Sequence, residues 1–411
     1  MKILMVNKFF YQRGGSEAYM LNLSELLKKQ GHQVIEFSMQ DEKNEPSQYS
    51  QYFVANIDFA KREGILKDIK KALQAIFSFE AQAKLEQLII KEKPDIAHLH
   101  NFSFQLTPSV IIALKKHKIP IIWTLHDYKL ICPNFRLFTK GKVCERCKKH
   151  KYYNGFFYKC LNDSWAMSLV AMLEMYWHKF FLKSYDKVDL FISPSRFLAQ
   201  KIKDWGINPN KIKQVYNFID YQKMNQEIEL GKGLLYFGRL TPEKGIMTLV
   251  KAMAKLPEMQ LKIIGDGPQK NEIKNFIRDK RLKNIELIGH QKSQQLYEYV
   301  KRARVVIVPS VWYENNPIAI LEAFALAKPV IGSNLGGIPE LIEEGKTGFL
   351  FQANDHEDLI SVIKKIYYNE KLLREIALNC QNLIKSKFTK EKHLEQIEKI
   401  YQIIKVNASV F

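Results

Sequence analysis

Two glutamates, Glu314 and Glu322, stand eight positions apart in the stretch WYENNPIAILEAFA, residues 312–325. Asn316 followed by Pro317 predicts a helix start, because proline needs no backbone donor at the first helical position. The residues after Pro317 are almost all apolar, and an unpaired carboxylate buried there would cost on the order of several kcal/mol. Two interpretations remain open at this point. Either both carboxylates bind a ligand, or Glu314 caps the helix and Glu322 pairs with a core arginine or lysine.

Glycines and basic residues follow other strand-like segments. Gly14 and Gly15 come after the first such segment, where exposed amides at a helix start suit an anionic group. They lack the full glycine spacing of a dinucleotide fingerprint, which argues against NAD. In LLYFGRLTPEKG, Gly238 and Arg239 end a strand and Lys244 precedes a helix. Arg239 and Lys244 together can clamp a diphosphate, the arginine through paired donors and the lysine as a point charge.

The elements that must position these residues form two series in which strand-like runs alternate with helical ones. This alternation predicts an α/β fold with two Rossmann-like, doubly wound domains that face each other across a cleft. We place the domains at residues 1–216 and 217–389, with the polar stretch Asn217–Gly233 as a linker. An amphipathic helix over residues 390–411 should pack back toward the first domain. Ligands bind at the carboxyl ends of strands in such sheets, and Gly265, Gly289 and His290 also stand at predicted strand ends.

The amino-acid composition limits the possible classes of protein. A chain of 411 residues with 46% hydrophobic residues fits two globular domains of about 200 residues each. No run of 18 apolar residues occurs and the apolar run at the start is short, so we expect a cytoplasmic protein without a membrane-spanning helix. The net charge is +20, and residues 111–160 hold 12 basic side chains against two acidic ones. Such a surface attracts polyanions, although lysines on solvated faces would explain much of the charge equally well.

Four segments of the second half, YFGRLTPEKG, IIGDGP, SVWYENNPIAILEAFA and GGIPELIEEGKTGFL, give the chain a family resemblance. With RGGSE and TLHD in the first half, the chain resembles a family 4 glycosyltransferase of the group 1 type and GT-B fold. The resemblance covers nearly the whole second half. It implies a retaining transferase that moves a sugar from a nucleotide-sugar to an acceptor, and it favours UDP over GDP as the nucleotide. No Asp-x-Asp motif occurs, in keeping with a family that needs no catalytic divalent metal.

The resemblance also implies roles for individual residues. Glu322 matches the carboxylate that accepts hydrogen bonds from the ribose, and Glu314 matches the one that faces the donor sugar. His126, in WTLHD, matches the histidine that contacts the donor sugar from the first domain. The implied catalytic residues are His126, Glu314, Arg239 and Lys244. The implied donor-binding residues are Gly14, Gly15, Gly238, Arg239, Lys244, Gly265, Gly289, His290, Glu314, Asn316, Pro317, Ile318 and Glu322, with the amide of Ile318 as a donor because Pro317 has none.

Four cysteines, Cys132, Cys144, Cys147 and Cys160, cluster in an insert at about residues 130–162. Their number and the Cys-x-x-Cys pair predict a structural zinc ion in preference to an iron–sulfur cluster or four free thiols. The basic, aromatic insert and the apolar segment 168–182 could rest on an anionic inner-membrane surface. For that segment we favour plain domain core.

The sequence as a whole predicts a retaining glycosyltransferase that builds a surface glycan on a glycan or lipid-linked acceptor. It would be cytoplasmic, with peripheral contact to the inner face of the membrane as an open alternative. Two other functions remain open: a sugar-nucleotide epimerase on the same fold, and a zinc-knot protein that binds nucleic acid. The motifs of the second half tell against nucleic acid as a partner.

Overall fold

A computed structural model of the chain describes residues 1–59, 61, 63–221 and 228–409. Part of the predicted linker, residues 222–227, lies outside the described residues. The strands are β1 (Lys2–Val6), β2 (Gln33–Phe37), β3 (Ile96–Leu99), β4 (Ile121–Thr124), β5 (Phe138–Thr139), β6 (Lys142–Val143), β7 (Leu190–Ser193), β8 (Ile212–Gln214), β9 (Leu234–Phe237), β10 (Leu261–Ile264), β11 (Ile285–Gly289), β12 (Val305–Val308), β13 (Val330–Ser333) and β14 (Gly348–Phe351).

The helices are α1 (Gly15–Lys29), α2 (Ile65–Ile76), α3 (Phe79–Glu92), α4 (Ser109–Lys116), α5 (Tyr153–Phe157), α6 (Trp165–Tyr176), α7 (Arg196–Asp204), α8 (Ile246–Met253), α9 (Lys270–Asp279), α10 (Ser293–Arg302), α11 (Ile318–Ala325), α12 (His356–Tyr367), α13 (Glu370–Lys387) and α14 (Lys390–Ser409). A π-helical turn, Trp177–Phe181, continues α6. A 3-10 turn, Pro242–Lys244, precedes α8.

Two six-stranded sheets organise these elements. Their strand orders are β2-β1-β3-β4-β7-β8 and β11-β10-β9-β12-β13-β14, and the pairings within both are parallel. Strands such as β9 and β12 are buried along their whole length, because helices cover both faces of a parallel sheet. The predicted pair of doubly wound α/β domains is confirmed.

Each sheet has one point where the direction of winding reverses. In the second sheet the chain runs outward from β9 to β10 and β11, then returns to the other side of β9 with β12. In the first sheet the reversal lies between β1 and β3. A crevice opens at such a reversal beyond the carboxyl ends of the strands, and ligands bind there. The chain that follows β1, β9 and β12 carries Gly14, Arg239 and Glu314 into these two crevices.

The last helix returns to the first domain. Leu394, Ile397 and Tyr401 of α14 pack in the hydrophobic core of the first sheet. The Tyr401 hydroxyl shares a hydrogen bond of 2.7 Å with Nδ1 of His98 at β3. The preceding helix, α13, packs in the core of the second sheet. The C-terminal segment therefore ties the two domains together.

The expectation of plain core for residues 168–182 is wrong for one face of the helix. Ser168 and Met175 are buried, but Leu173 and Trp177 are more than two-fifths exposed and Phe181 is 72% exposed. The physical reason is that only the side of α6 that carries Ser168 and Met175 is buried. Within the described ranges, no helix is both long and apolar enough to cross a membrane.

Candidate functional site

Three predicted glycines line the carboxyl edge of the second sheet. Gly238, Gly265 and Gly289 end the adjacent strands β9, β10 and β11, and the Gly265 N–H donates to the Gly289 carbonyl at 3.0 Å. Gly265 has φ +147°, and a Cβ there would lie 1.8 Å from the Gly238 carbonyl oxygen. Only glycine fits this position, so the backbones of β9 and β10 lie close together at their carboxyl ends, where Gly238 is exposed. His290 is exposed just beyond Gly289.

An ion pair occupies the crevice between β9 and β12. The Lys244 Nζ donates to Oε1 of Glu314 at 2.6 Å, and the Ser310 hydroxyl donates to the same oxygen at 2.7 Å. Burial alone would raise the pKa of Glu314, but the Lys244 charge and the hydrogen bonds from Lys244 and Ser310 outweigh burial and lower it. Glu314 is therefore a buried, ionised carboxylate with fixed partners. The alternative in which Glu314 caps α11 does not hold, because that helix has no side-chain cap.

Gly245 makes this ion pair possible. Its φ is +67°, and a Cβ there would lie 1.9 Å from the Pro309 carbonyl oxygen. The turn Pro242–Lys244 can therefore lie directly against the chain that leaves β12. Arg239, two residues beyond β9, has a side chain that is 63% exposed, with Glu243 at 3.8 Å as a distant partner. Its guanidinium is available to an anion that enters the crevice.

The start of α11 carries the buried polar side chain of Asn316. Asn316 is 6% exposed, yet neither its Oδ1 nor its Nδ2 has a hydrogen-bond partner among the described residues. Buried amides are almost always hydrogen-bonded, so an orphaned one indicates a missing ligand or water. Pro317 is the N-cap residue without a side-chain cap, so the first amides of the helix, beginning with Ile318, have no partner within the helix. A helix start of this kind favours negative charge and sugar oxygens.

Glu322 lies one turn further along α11 and is partly buried. Burial raises its pKa to about 7, and a hydrogen bond with Tyr297 of α10 opposes that rise. Its partner is thus a tyrosine hydroxyl, and the alternative of a core arginine or lysine does not hold. A neutral partner leaves the remaining oxygen of Glu322 free to accept from ligand hydroxyls.

The first domain meets this site directly. A Cβ on Gly15, at the start of α1, would lie 3.1 Å from Cδ1 of Ile318. The Asn315 side-chain amide donates to the His126 carbonyl at 3.0 Å. The Gly14–Gly15 turn, His126 and the start of α11 are therefore brought together.

His126 is held as a neutral imidazole. Its Nε2 shares a hydrogen bond of 3.0 Å with Nδ1 of His100. The rings of Tyr19 and His126 form an edge contact with their centroids 5.2 Å apart. Burial lowers the pKa of His126 to about 3. The imidazole can therefore exchange hydrogen bonds with a sugar without adding charge near it.

Sequence reasoning missed several residues that shape the site. His100 follows β3 directly, and its position at a strand end was a visible signal. Ser310 and Tyr297 gave no signal, because their contacts depend on distances between separate segments. Gly337 lies in the quoted segment GGIPELIEEGKTGFL, and its N–H donates to the Glu314 carbonyl at 2.6 Å.

The cysteine insert folds beside the same cleft. Cys132 and Cys147 are buried, and Cys144 and Cys160 are partly buried. No group of three or more His, Cys, Asp or Glu side chains is arranged as a metal-ligand set in residues 1–59, 61, 63–221 and 228–409. The zinc site therefore stays a prediction. The insert does reach the second domain, since the Tyr313 hydroxyl donates to Glu145 at 3.0 Å.

Comparison with known proteins places the chain in a family. Residues 13–223 match the model of Glycosyltransferase Family 4, and residues 222–383 match the model of Glycosyl transferases group 1. The chain belongs to glycosyltransferase family 4. The glycines, the ion pair and the start of α11 thus lie in a glycosyltransferase, and the predicted family is confirmed.

Individual relatives agree with this assignment. An uncharacterised glycosyltransferase of Methanocaldococcus jannaschii is 24% identical over 98% of both chains. A UDP-Gal:α-D-GlcNAc-diphosphoundecaprenol α-1,3-galactosyltransferase of Escherichia coli is 30% identical over 50% of this chain and 58% of its own length. The structure of HepE from Anabaena with UDP and glucose superposes with a TM-score of 0.68, 18% identity and coverage of 98% and 99%. The predicted GT-B architecture is confirmed by this likeness of fold.

Proposed function

We propose that this family 4 glycosyltransferase transfers a sugar from a UDP-sugar to a glycan or lipid-linked acceptor in polysaccharide synthesis, with retention of anomeric configuration. The observation that carries the proposal is the unpartnered, buried amide of Asn316 at the start of α11. It lies in the crevice that also holds the Lys244–Glu314 pair and meets Gly15 of the first domain. Such a crevice fits a nucleotide-sugar whose diphosphate lies at the helix start.

The choice of UDP and of the acceptor class is supported by relatives. The name of the Escherichia coli relative gives a UDP-galactose donor and a diphosphoundecaprenol-linked acceptor, and the Anabaena structure contains UDP. Other relatives are named for colanic acid and amylovoran biosynthesis. We place the reaction in the cytoplasm, where nucleotide-sugars are made. The identity of the sugar depends on side chains near Glu314 and His126.

The proposed mechanism follows the charge that develops as the glycosidic bond breaks. Negative charge grows on the leaving diphosphate, where Arg239, Lys244 and the Gly14–Gly15 amides can stabilise it without a catalytic divalent cation. Positive charge grows on the sugar, beside a neutral His126 and the ionised Glu314. Glu314 is held by Lys244 and Ser310, so we assign it to stabilisation of the sugar. Attack then comes from the front face, assisted by the leaving phosphate.

A thermal-shift experiment tests the donor class. UDP should raise the melting temperature more than GDP or ADP, because a ligand that binds only the folded state stabilises it by mass action. Glu322→Ala should abolish most of that shift. Glu314→Gln should keep it, but should lower turnover of the matching UDP-sugar by about 100-fold.

The outcomes separate the assigned roles. Equal loss of UDP binding in both variants would contradict the division between Glu322 and Glu314. A UDP-sugar converted to its epimer without any acceptor would favour the epimerase alternative. Neither that alternative nor nucleic-acid binding is supported by the comparisons.

A further inference from the structure

Helix α2 presents its large apolar side chains to solvent. Ile65, Leu66, Ile69 and Leu73 are 80%, 84%, 52% and 62% exposed. At about 100° of rotation per residue, these four side chains share an arc of about 100° on one side of the helix. The buried residue of α2 is Ala75, on a different side. The helix therefore meets the domain on the side of Ala75, with its apolar stripe directed outward.

Helix α6 also presents apolar side chains to solvent. Trp165, Leu169, Leu173 and Trp177 follow one another at four-residue intervals and are 47%, 38%, 44% and 41% exposed. The polar residues of this helix face inward instead, and buried Glu174 pairs with buried Lys129. A helix whose polar groups are satisfied inside and whose apolar row faces outward is expected to have an apolar medium or partner on that side.

These elements form one surface, which we call the apolar face: the outward side chains of α2 and α6 together with those of the turn Trp177–Phe181. Helix α2 packs against α6, and α6 continues into the turn. The turn is linked to the end of α2, because the His178 Nε2–H donates a hydrogen bond of 2.7 Å to the Ile76 carbonyl.

Lysines border the apolar face. Lys67 and Lys70 are exposed on α2, and the Lys159 ammonium lies 4.9 Å from the Trp165 ring centroid. The His150 ring lies 5.5 Å from that of Phe180, which places the basic run 148–151 beside the turn. Protein–protein interfaces are depleted of lysine. A lysine border around tryptophan and leucine side chains instead matches the interfacial zone of an anionic bilayer.

We propose that the apolar face docks the protein onto a bilayer that contains anionic lipid. The side chains of α2, α6 and the turn enter the boundary between headgroups and acyl chains, and the bordering lysines contact lipid phosphates. The proposal does not depend on the transfer reaction, since it concerns a surface outside the candidate site.

Vesicle sedimentation with the full chain tests this surface. Vesicles of phosphatidylglycerol mixed with phosphatidylcholine should bind the protein, and vesicles of phosphatidylcholine alone should bind it at least about tenfold more weakly. Leu66→Glu should weaken binding to the anionic vesicles by about tenfold or more. The matched control is Leu378→Glu on α13, where the leucine is 49% exposed on the other domain, and it should bind like the parent protein.

Lys67→Glu combined with Lys70→Glu should remove part of the preference for phosphatidylglycerol and reduce the salt dependence of binding. The proposal would be overturned if the parent protein bound neither kind of vesicle, or if the Leu66→Glu variant bound like the parent. A dimer that is lost in Leu66→Glu without any vesicle binding would also overturn it, because a second copy would then cover the face. Phe181→Glu, at a residue 72% exposed, repeats the test on the turn should Leu66→Glu melt early.

Discussion

At the scale of single residues, Glu322 stands in an apolar environment that disfavours its charge. It belongs to a helix whose other side chains are apolar, and its described partner, Tyr297, is a neutral hydroxyl. Burial raises the pKa of this carboxyl to about 7. The carboxylate is thus poorly solvated until a ligand supplies donors. An ionisable group whose pKa is shifted this far by burial is more typical of binding sites than of structural positions.

Glu322→Gln should change the pH dependence of stability. Between pH 4.5, the ordinary pKa, and about pH 7, Glu322 is protonated in the folded state and ionised in the unfolded chain. The contribution of this proton to stability is fully present below pH 4.5 and is lost as the pH rises through 7. Relative to the parent, the glutamine variant should therefore gain about 3 kcal/mol in free energy of unfolding across this range, measured by urea unfolding.

The control for this measurement is Glu298→Gln on α10, beside Tyr297. Glu298 is exposed, and its hydrogen bond with Lys301 lowers its pKa, so its replacement should give no gain as the pH rises through 7. A stability difference between Glu322→Gln and the parent that stays constant from pH 4.5 to 8 would show that the carboxyl titrates normally. Ribose hydroxyls that donate to Glu322 favour its ionised form, so UDP binding should strengthen over the same rise in pH.

At the scale of elements, the cysteine insert has little regular structure to hold it. Its hairpin, β5 and β6, has two residues in each strand. The Asn134 amide donates to the carbonyls of Phe138 and Cys160 and joins the two ends of the insert. Leu130, Leu137 and Tyr152 of the insert are buried in the core of the first domain and not in a separate core. Cross-linking by a bound metal would add to the order of the remaining residues.

We propose that a zinc ion binds these four thiols, which would have to close to about 2.3 Å around one centre. Elemental analysis of the purified protein should give about one zinc per chain, and Cys147→Ser should lose it. Cys380→Ser is the matched control, because Cys380 lies in the core of the second domain and should leave the zinc content unchanged. A strong chelator should lower the melting temperature of the parent. Purified protein without zinc would rule out the site, and visible absorbance from iron would favour a cluster.

At the scale of the whole molecule, the sequence predicts what depends on local pattern. Buried strands such as β9 read as short apolar runs, and the glycine after each strand marks its carboxyl end, so sheets and crevices were predictable. The pattern of α2 could not show which side of the helix is covered. Contacts between distant segments were equally invisible. The contact of Tyr297 with Glu322 depends on how α10 and α11 are placed within the second domain, and that of Tyr313 with Glu145 depends on how the two domains meet.

The way the domains meet depends on Glu340 of the second domain. Its carboxylate accepts from the backbone N–H groups of Arg196 and Phe197, 2.7 and 2.5 Å away, at the start of α7 in the first domain. The Tyr216 hydroxyl donates to the same carboxylate at 3.1 Å. A carboxylate at a helix N-terminus gains from charge-assisted hydrogen bonds and from the helix dipole. One residue of the second domain therefore holds a helix of the first.

Glu340→Ala should loosen this contact between the domains. Loss of the three hydrogen bonds should cost about 1–3 kcal/mol of stability, seen as a lower melting temperature. Solution X-ray scattering should show a larger radius of gyration, and UDP should restore part of the compact form if it bridges Gly15 and the start of α11. Glu343→Ala is the control, since Glu343 is 62% exposed and pairs with the exposed Lys346. If both variants melted and scattered like the parent, Glu340 would not set the domain arrangement, and Tyr128 with Tyr313 and His126 with Asn315 would hold it instead.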